Sequence, residues 1–145
     1  MIGARNVRGG LVLLSAGLLM GLLMSLYAFV PMIPKVPAAL DQYDDVPRRL
    51  LRLAHVSAIM LPLINIVLGG WLDRLSMSAR AKEGVSRLLL WGAAGVPLGL
   101  VVEALFPWAR NAHLSAVPVL AFCGAIFALS TAAWRMTPAE WTPGR

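Results

Sequence analysis

Residues 114–134 read LSAVPVLAFCGAIFALSTAAW, 21 positions without one Asp, Glu, Lys, Arg or His. A helix of about 20 apolar residues spans the hydrocarbon core of a bilayer. Backbone polar groups find no water there, so a spanning segment must be a helix or a strand of a closed barrel. Barrel strands alternate apolar and polar residues, whereas this run is apolar throughout. Three further runs share that character, at residues 9–31, 50–72 and 88–106. The sequence therefore predicts an all-α integral membrane four-helix bundle, with transmembrane helices over residues 9–31, 50–72, 88–106 and 114–134. The whole chain, residues 1–145, reads as a single transmembrane domain. Its connections are an outer loop at 32–49, an inner basic loop at 73–87 and a C-terminal tail at 135–145.

Composition leads to the same class. Hydrophobic residues make up 59% of the chain and charged residues 14%, with a mean hydropathy of +0.73. A soluble domain carries about 25% charged residues. The net charge of +6 comes from Lys and Arg scattered at the ends of the apolar runs. That is the placement of interfacial anchors, so the lipid bilayer and no nucleic acid is the expected partner. The single cysteine, Cys123, offers neither a disulfide framework nor a metal motif, and it reads as a small buried residue of the fourth run. The first run, behind Arg5 and Arg8, exceeds the 7–15 apolar residues of a signal-peptide core and reads as a retained helix.

Four crossings put both termini on one side of the membrane. Arg5, Arg8, Arg74, Arg80, Lys82, Arg87, Arg135 and Arg145 share that side, against Lys35, Arg48, Arg49, Arg52 and Arg110 on the other. The excess of basic residues places both termini in the cytoplasm of a cell with a plasma (inner) membrane. Trp71, Trp108 and Trp134 fall at predicted boundaries, where an amphipathic ring suits the headgroup layer. Pro34, Pro37 and Pro47, with Asp41, Asp44 and Asp45, argue for an irregular outer loop.

Lipid tails are as apolar as leucine, so helices associate through close packing and hydrogen bonds. Small residues spaced by four predict two packing stripes: Gly17, Gly21 and Ser25 in the first helix, and Gly95 and Gly99, with Gly92 nearby, in the third. Asn65, deep in the second helix, is expected to hydrogen-bond across to a neighbour. Pro62, Pro97 and Pro118 interrupt three helices.

Ionisable groups inside membrane segments are costly and often functional. His55 lies about one turn inside the second helix, Glu103 about one turn from the end of the third, and His113 just before the fourth. All three are expected on the outer side. Glu103 follows Gly92 and Gly99 along one face, and His55, His113, Arg52 and Arg110 are candidate partners for its carboxylate. His55 could ligate a b-type haem, with Arg52 one turn nearer the surface for a propionate and His113 as a second axial ligand. The same His55, His113, Arg52 and Glu103 could hold a quinone headgroup. Two His and one carboxylate also match a metal-ligand set, but no close-spaced ligand motif supports a metal centre. No P-loop, GxGxxG fingerprint, nucleophile elbow or c-type haem attachment sequence is present.

The stretch Arg48-Arg49-Leu50-Leu51-Arg52-Leu53-Ala54-His55 is similar in character to membrane redox proteins, without pointing to a family. The functional expectation is a small non-catalytic subunit of a larger membrane complex of the respiratory, electron-transfer kind, with other membrane subunits as partners. Two alternatives stand beside it. One is a haem- or quinone-binding redox protein using His55. The other is a small ion-coupled transporter with Glu103 as coupling acid and Asn65 along the path.

Overall fold

The computed structural model describes residues 1–29 and 45–136. The expectations placed on Pro34, Lys35, Pro37, Asp41 and Asp44, and on the tail beyond Met136 with Arg145, lie outside the described residues. Among these residues five helices follow one another: α1 (Ile2–Phe29), α2 (Val46–Leu72), α3 (Ala79–Leu105), α4 (Pro107–Ala112) and α5 (Ala116–Trp134). All but α4 are long and apolar enough to cross a membrane. The chain is thus an all-α bundle of four spanning helices.

At the starts of α1 and α3 a capping group extends the helix beyond the apolar run. α1 begins at Ile2 rather than residue 9, because the Asp73 carboxylate accepts the backbone N–H groups of Ile2 (3.2 Å) and Gly3 (3.2 and 3.3 Å). Those donors have no partner within their own helix, and a negative charge there suits the helix dipole. Arg5 and Arg8 therefore belong to the first turns of α1. α3 begins at Ala79, where the Ser78 hydroxyl accepts the Ala81 N–H at 3.2 Å. The inner basic loop expected at 73–87 accordingly contracts to 73–78, and Arg80, Lys82 and Arg87 are helical. α2 begins at Val46 with Pro47 in its first turn, so residues 46–49 leave the outer loop. The fourth spanning helix starts at Ala116, and α4 fills the gap behind α3. Pro118 interrupts nothing. It sits in the first turn of α5, where a missing N–H costs no hydrogen bond.

The helices alternate in direction. Gly3 meets Gly69 and Gly21 meets His55, so α1 and α2 run antiparallel. Asn6 meets Ser86 and Gly9 meets Leu90, so α3 runs parallel to α1, and α5 returns antiparallel through the pairs Gly92–Phe122, Gly95–Pro118 and Gly99–Ser115. α3 is the hub, packed on α1, α2 and α5. Its Val85, Leu89 and Ala93 join Leu72 and Leu75 to Phe122, Ala125 and Leu129 in the main core, and Ala54, Val96 and Leu100 form a smaller one. Val12, Leu120 and Phe127 on the outward faces are at least 70% exposed, as a lipid-facing surface requires. Cys123 lies on that surface, not in the core, because α5 buries the face of Pro118, Phe122, Ala125 and Leu129.

The glycines of both stripes lie in contacts within the chain, while Ser25 bonds the Leu22 carbonyl of its own helix. A Cβ on Gly17 would collide with the Ala58 carbonyl, and one on Gly95 would stand 2.8 Å from Pro118 Cγ. Where no hydrophobic force draws helices together, this closeness supplies the packing energy.

Candidate functional site

The seam between α1 and α2 is zipped by residues of one α1 face: Gly3, Asn6, Gly10, Gly17 and Gly21. At the end of the bundle holding the N-terminus, the seam is polar. Asn6 Nδ2 donates to Asn65 Oδ1 at 2.7 Å, and Asn65 Nδ2 donates back to the Asn6 carbonyl at 3.2 Å. The Ser86 hydroxyl of α3 donates to Asn6 Oδ1, while Asn6 Nδ2 also approaches the Ser86 carbonyl at 3.4 Å. Asn6, Asn65 and Ser86 are all fully buried. Arg5 closes the cluster toward water, giving one N–H to Ser86 Oγ and another to Glu83, both at 2.7 Å. Arg87 Nε donates to the same Glu83 oxygen at 3.0 Å, and Lys82 Nζ to the Asp73 carbonyl at 2.8 Å. The network ties three helices together, and Asn6, bonded to both Asn65 and Ser86, is its centre.

At the far end the same seam ends in His55. Its imidazole lies edge-on against Gly21, with Cε1 directed at the place where a side chain on Gly21 would start. The ring is partly buried, and its Nδ1 is sealed from solvent without a hydrogen-bond partner. No other buried side-chain nitrogen or oxygen among the described residues is left so. A buried polar atom without a partner forfeits its hydration. Arg52 stands one turn nearer the start of α2, on the same face.

Glu103 is buried on α3, and its Oε1 accepts the Ser115 backbone N–H at 2.7 Å. The contact fixes the entry to α5, where Gly99 lets the Ser115 backbone approach closely. Arg110 does not act on the carboxylate. Its guanidinium donates to the Glu103 and Ala104 carbonyls at 2.9 and 3.5 Å and so caps the end of α3. His113 is exposed on the turn after α4, in the left-handed conformation (φ 48°) that ends the short helix. Of the four cofactor-binding candidates, His55 and Arg52 thus share α2, while Glu103 and His113 belong to the α3–α5 corner. Among the described residues no group of three or more His, Cys, Asp or Glu side chains is arranged to hold a metal ion.

Asn6, Ser86 and the Arg5–Glu83–Arg87 cluster escaped the reading of the sequence. The signal for Asn6 was available: it continues the Gly21, Gly17 and Gly10 register toward the N-terminus, outside the apolar run. Ser86 resembles any surface serine until α3 is known to start at Ala79. No protein-family model, no curated protein and no solved structure matches the chain.

Proposed function

We propose that the protein is a small, non-catalytic subunit of a larger membrane complex of the electron-transfer kind, and that the seam around His55 is where it meets that machinery. The observation that carries this reading is the buried Nδ1 of His55, left without a hydrogen-bond partner. Among the described residues the other buried polar side chains are closed by bonds within the bundle, and only His55 keeps a buried side-chain nitrogen without a hydrogen-bond partner. The basic residues Arg5, Arg8, Arg74, Arg80, Lys82, Arg87 and Arg135 gather at the N-terminal end. The positive-inside rule assigns that end to the cytoplasm of a plasma (inner) membrane. His55 then faces the outer half. Mild detergent extraction of tagged protein tests the reading. Co-migration with redox proteins in wild type, lost in His55→Leu, supports it, and migration as a lone bundle contradicts it.

The same nitrogen favours a second reading, a b-type haem or quinone headgroup at His55. A neutral imidazole is a haem ligand, and the Arg52 guanidinium suits an anionic propionate. Bound haem would supply one-electron chemistry. His55 would hold the group and Arg52 would orient it. A Soret band in purified protein, absent from His55→Ala, would establish this reading, and a colourless folded protein would remove it. The ion-coupled transporter is not favoured, because the Glu103 oxygen is committed to the start of α5 and Asn65 to the Asn6 network.

A further inference from the structure

The face of α1 beside α3, at the N-terminal end of the bundle, forms an open groove of about 800 Å³. Its water-side end carries Arg5 and Arg8, and its other end is lined by Val12, Leu13 and Leu90. Gly9 lies between. A side chain there would start 2.6 Å from Leu90 Cδ2, so its absence lets Leu90 close down as the groove wall. The two arginines differ. Arg5 is spent on Glu83 and Ser86. Arg8 is exposed, and the described residues offer it neither an ion pair nor a hydrogen bond. The local charge is in excess: Glu83 is already shared by Arg5 and Arg87, and Asp73 is turned to the Ile2 and Gly3 N–H groups.

A cationic end followed by an apolar channel has the polarity of a phospholipid. One helical turn, about 6 Å, separates Arg8 from Val12 toward the middle of the membrane. A guanidinium binds a phosphodiester through paired N–H donors, and apolar walls bury a chain.

We propose that this groove binds an anionic phospholipid, its phosphate on Arg8 and its acyl chain along Gly9, Val12, Leu13 and Leu90. The occupant is a bound lipid with a fixed place, distinct from the general attraction of a basic belt to an anionic leaflet. Glu83 sets the selectivity indirectly: by occupying Arg5 and Arg87 it leaves Arg8 as the cation that faces the groove.

Delipidated protein in non-ionic detergent, titrated with phosphatidylglycerol and with phosphatidylcholine of the same chains, provides the test, with occupancy read by native mass spectrometry. The expected result is a preference for phosphatidylglycerol of at least about fivefold, the value of one basic residue at an anionic lipid surface. Arg8→Gln abolishes the preference. Arg74→Gln, at the same end of the bundle but outside the groove, retains it. Val12→Trp fills the chain site and lowers occupancy by both lipids. Equal binding of the two lipids overturns the proposal, as does an equal loss in Arg8→Gln and Arg74→Gln, which would indicate only a basic belt. Unchanged occupancy in Val12→Trp, or full displacement by inorganic phosphate, overturns the lipid as the occupant.

Discussion

Replacing Gly17 by alanine should separate the two helices that hold His55. The added Cβ would meet the Ala58 backbone, standing 2.8 Å from its carbonyl carbon and nearer still to the oxygen. Ordinary van der Waals contact begins at 3.4 Å, so the seam must open by about 0.6 Å, from 2.8 to 3.4 Å, at that carbon alone. The obstacle is backbone, which cannot rotate away as a side-chain tip can. Overpacking of this kind costs about 1–3 kcal/mol. Gly124 is the control: a Cβ there meets nothing within 4 Å, so Gly124→Ala should be neutral or stabilising by up to about 1 kcal/mol through reduced backbone entropy. Reversible unfolding of the detergent-solubilised protein by sodium dodecyl sulfate, followed by circular dichroism, gives both numbers. The two variants should differ by at least about 1 kcal/mol, the low end of the overpacking cost. Equal midpoints would refute the claim that close backbone approach, and not side-chain burial, holds α1 to α2.

Further predictions follow from the polar contacts. Asn65→Ala removes two hydrogen bonds to Asn6 and should cost about 1–3 kcal/mol, given about 0.6–1.7 for each interhelical bond in a membrane protein; an unfolding midpoint equal to wild type would show the network to be idle. Glu103→Gln keeps an acceptor for the Ser115 N–H and should stay within about 0.5 kcal/mol of wild type, whereas Glu103→Leu leaves that donor unpaired and should lose about 1–3 kcal/mol. The reverse order would mean that the charge, and not the cap, matters there. His55→Leu should be tolerated within about 1.5 kcal/mol, because it replaces an unpartnered nitrogen by an apolar group of similar size. A larger loss of stability would make His55 a packing residue and undo its assignment as the functional contact.

Fold class and the number of crossings were legible because continuous apolarity over about 20 residues has one physical solution in a bilayer. The ends of the helices were not. Residues 2–8 and 79–87 are too polar to register as membrane-spanning, and their helices are capped by Asp73, remote in sequence, and by Ser78 at the turn itself. Glycine spacing located the faces of α1 and α3 that pack, since a repeat of four places small residues in one line. It carried no information on which neighbour each face meets. For the candidate site, sequence reasoning assembled His55, Glu103 and His113 from depth in the membrane alone. Depth is one coordinate of three. The angular position around the bundle, which separates His55 on the α1–α2 seam from Glu103 at the α3–α5 corner, depends on helix order and rotation. The reach of Arg110 to the end of α3 likewise depends on α4, a six-residue helix that hydropathy does not register.

The central claim is that His55 is the point at which this bundle engages an electron-transfer assembly. It is tested most directly by extracting tagged wild-type and His55→Leu protein from native membranes in mild detergent, and recording native mass together with the oxidised and dithionite-reduced absorption spectra of the same peak. The account predicts a wild-type particle far above the chain mass of 15.6 kDa that carries redox pigment, and a folded His55→Leu protein that leaves it. A pigment-free wild-type bundle at its own mass, or a His55→Leu protein that remains in the assembly unchanged, would contradict the account.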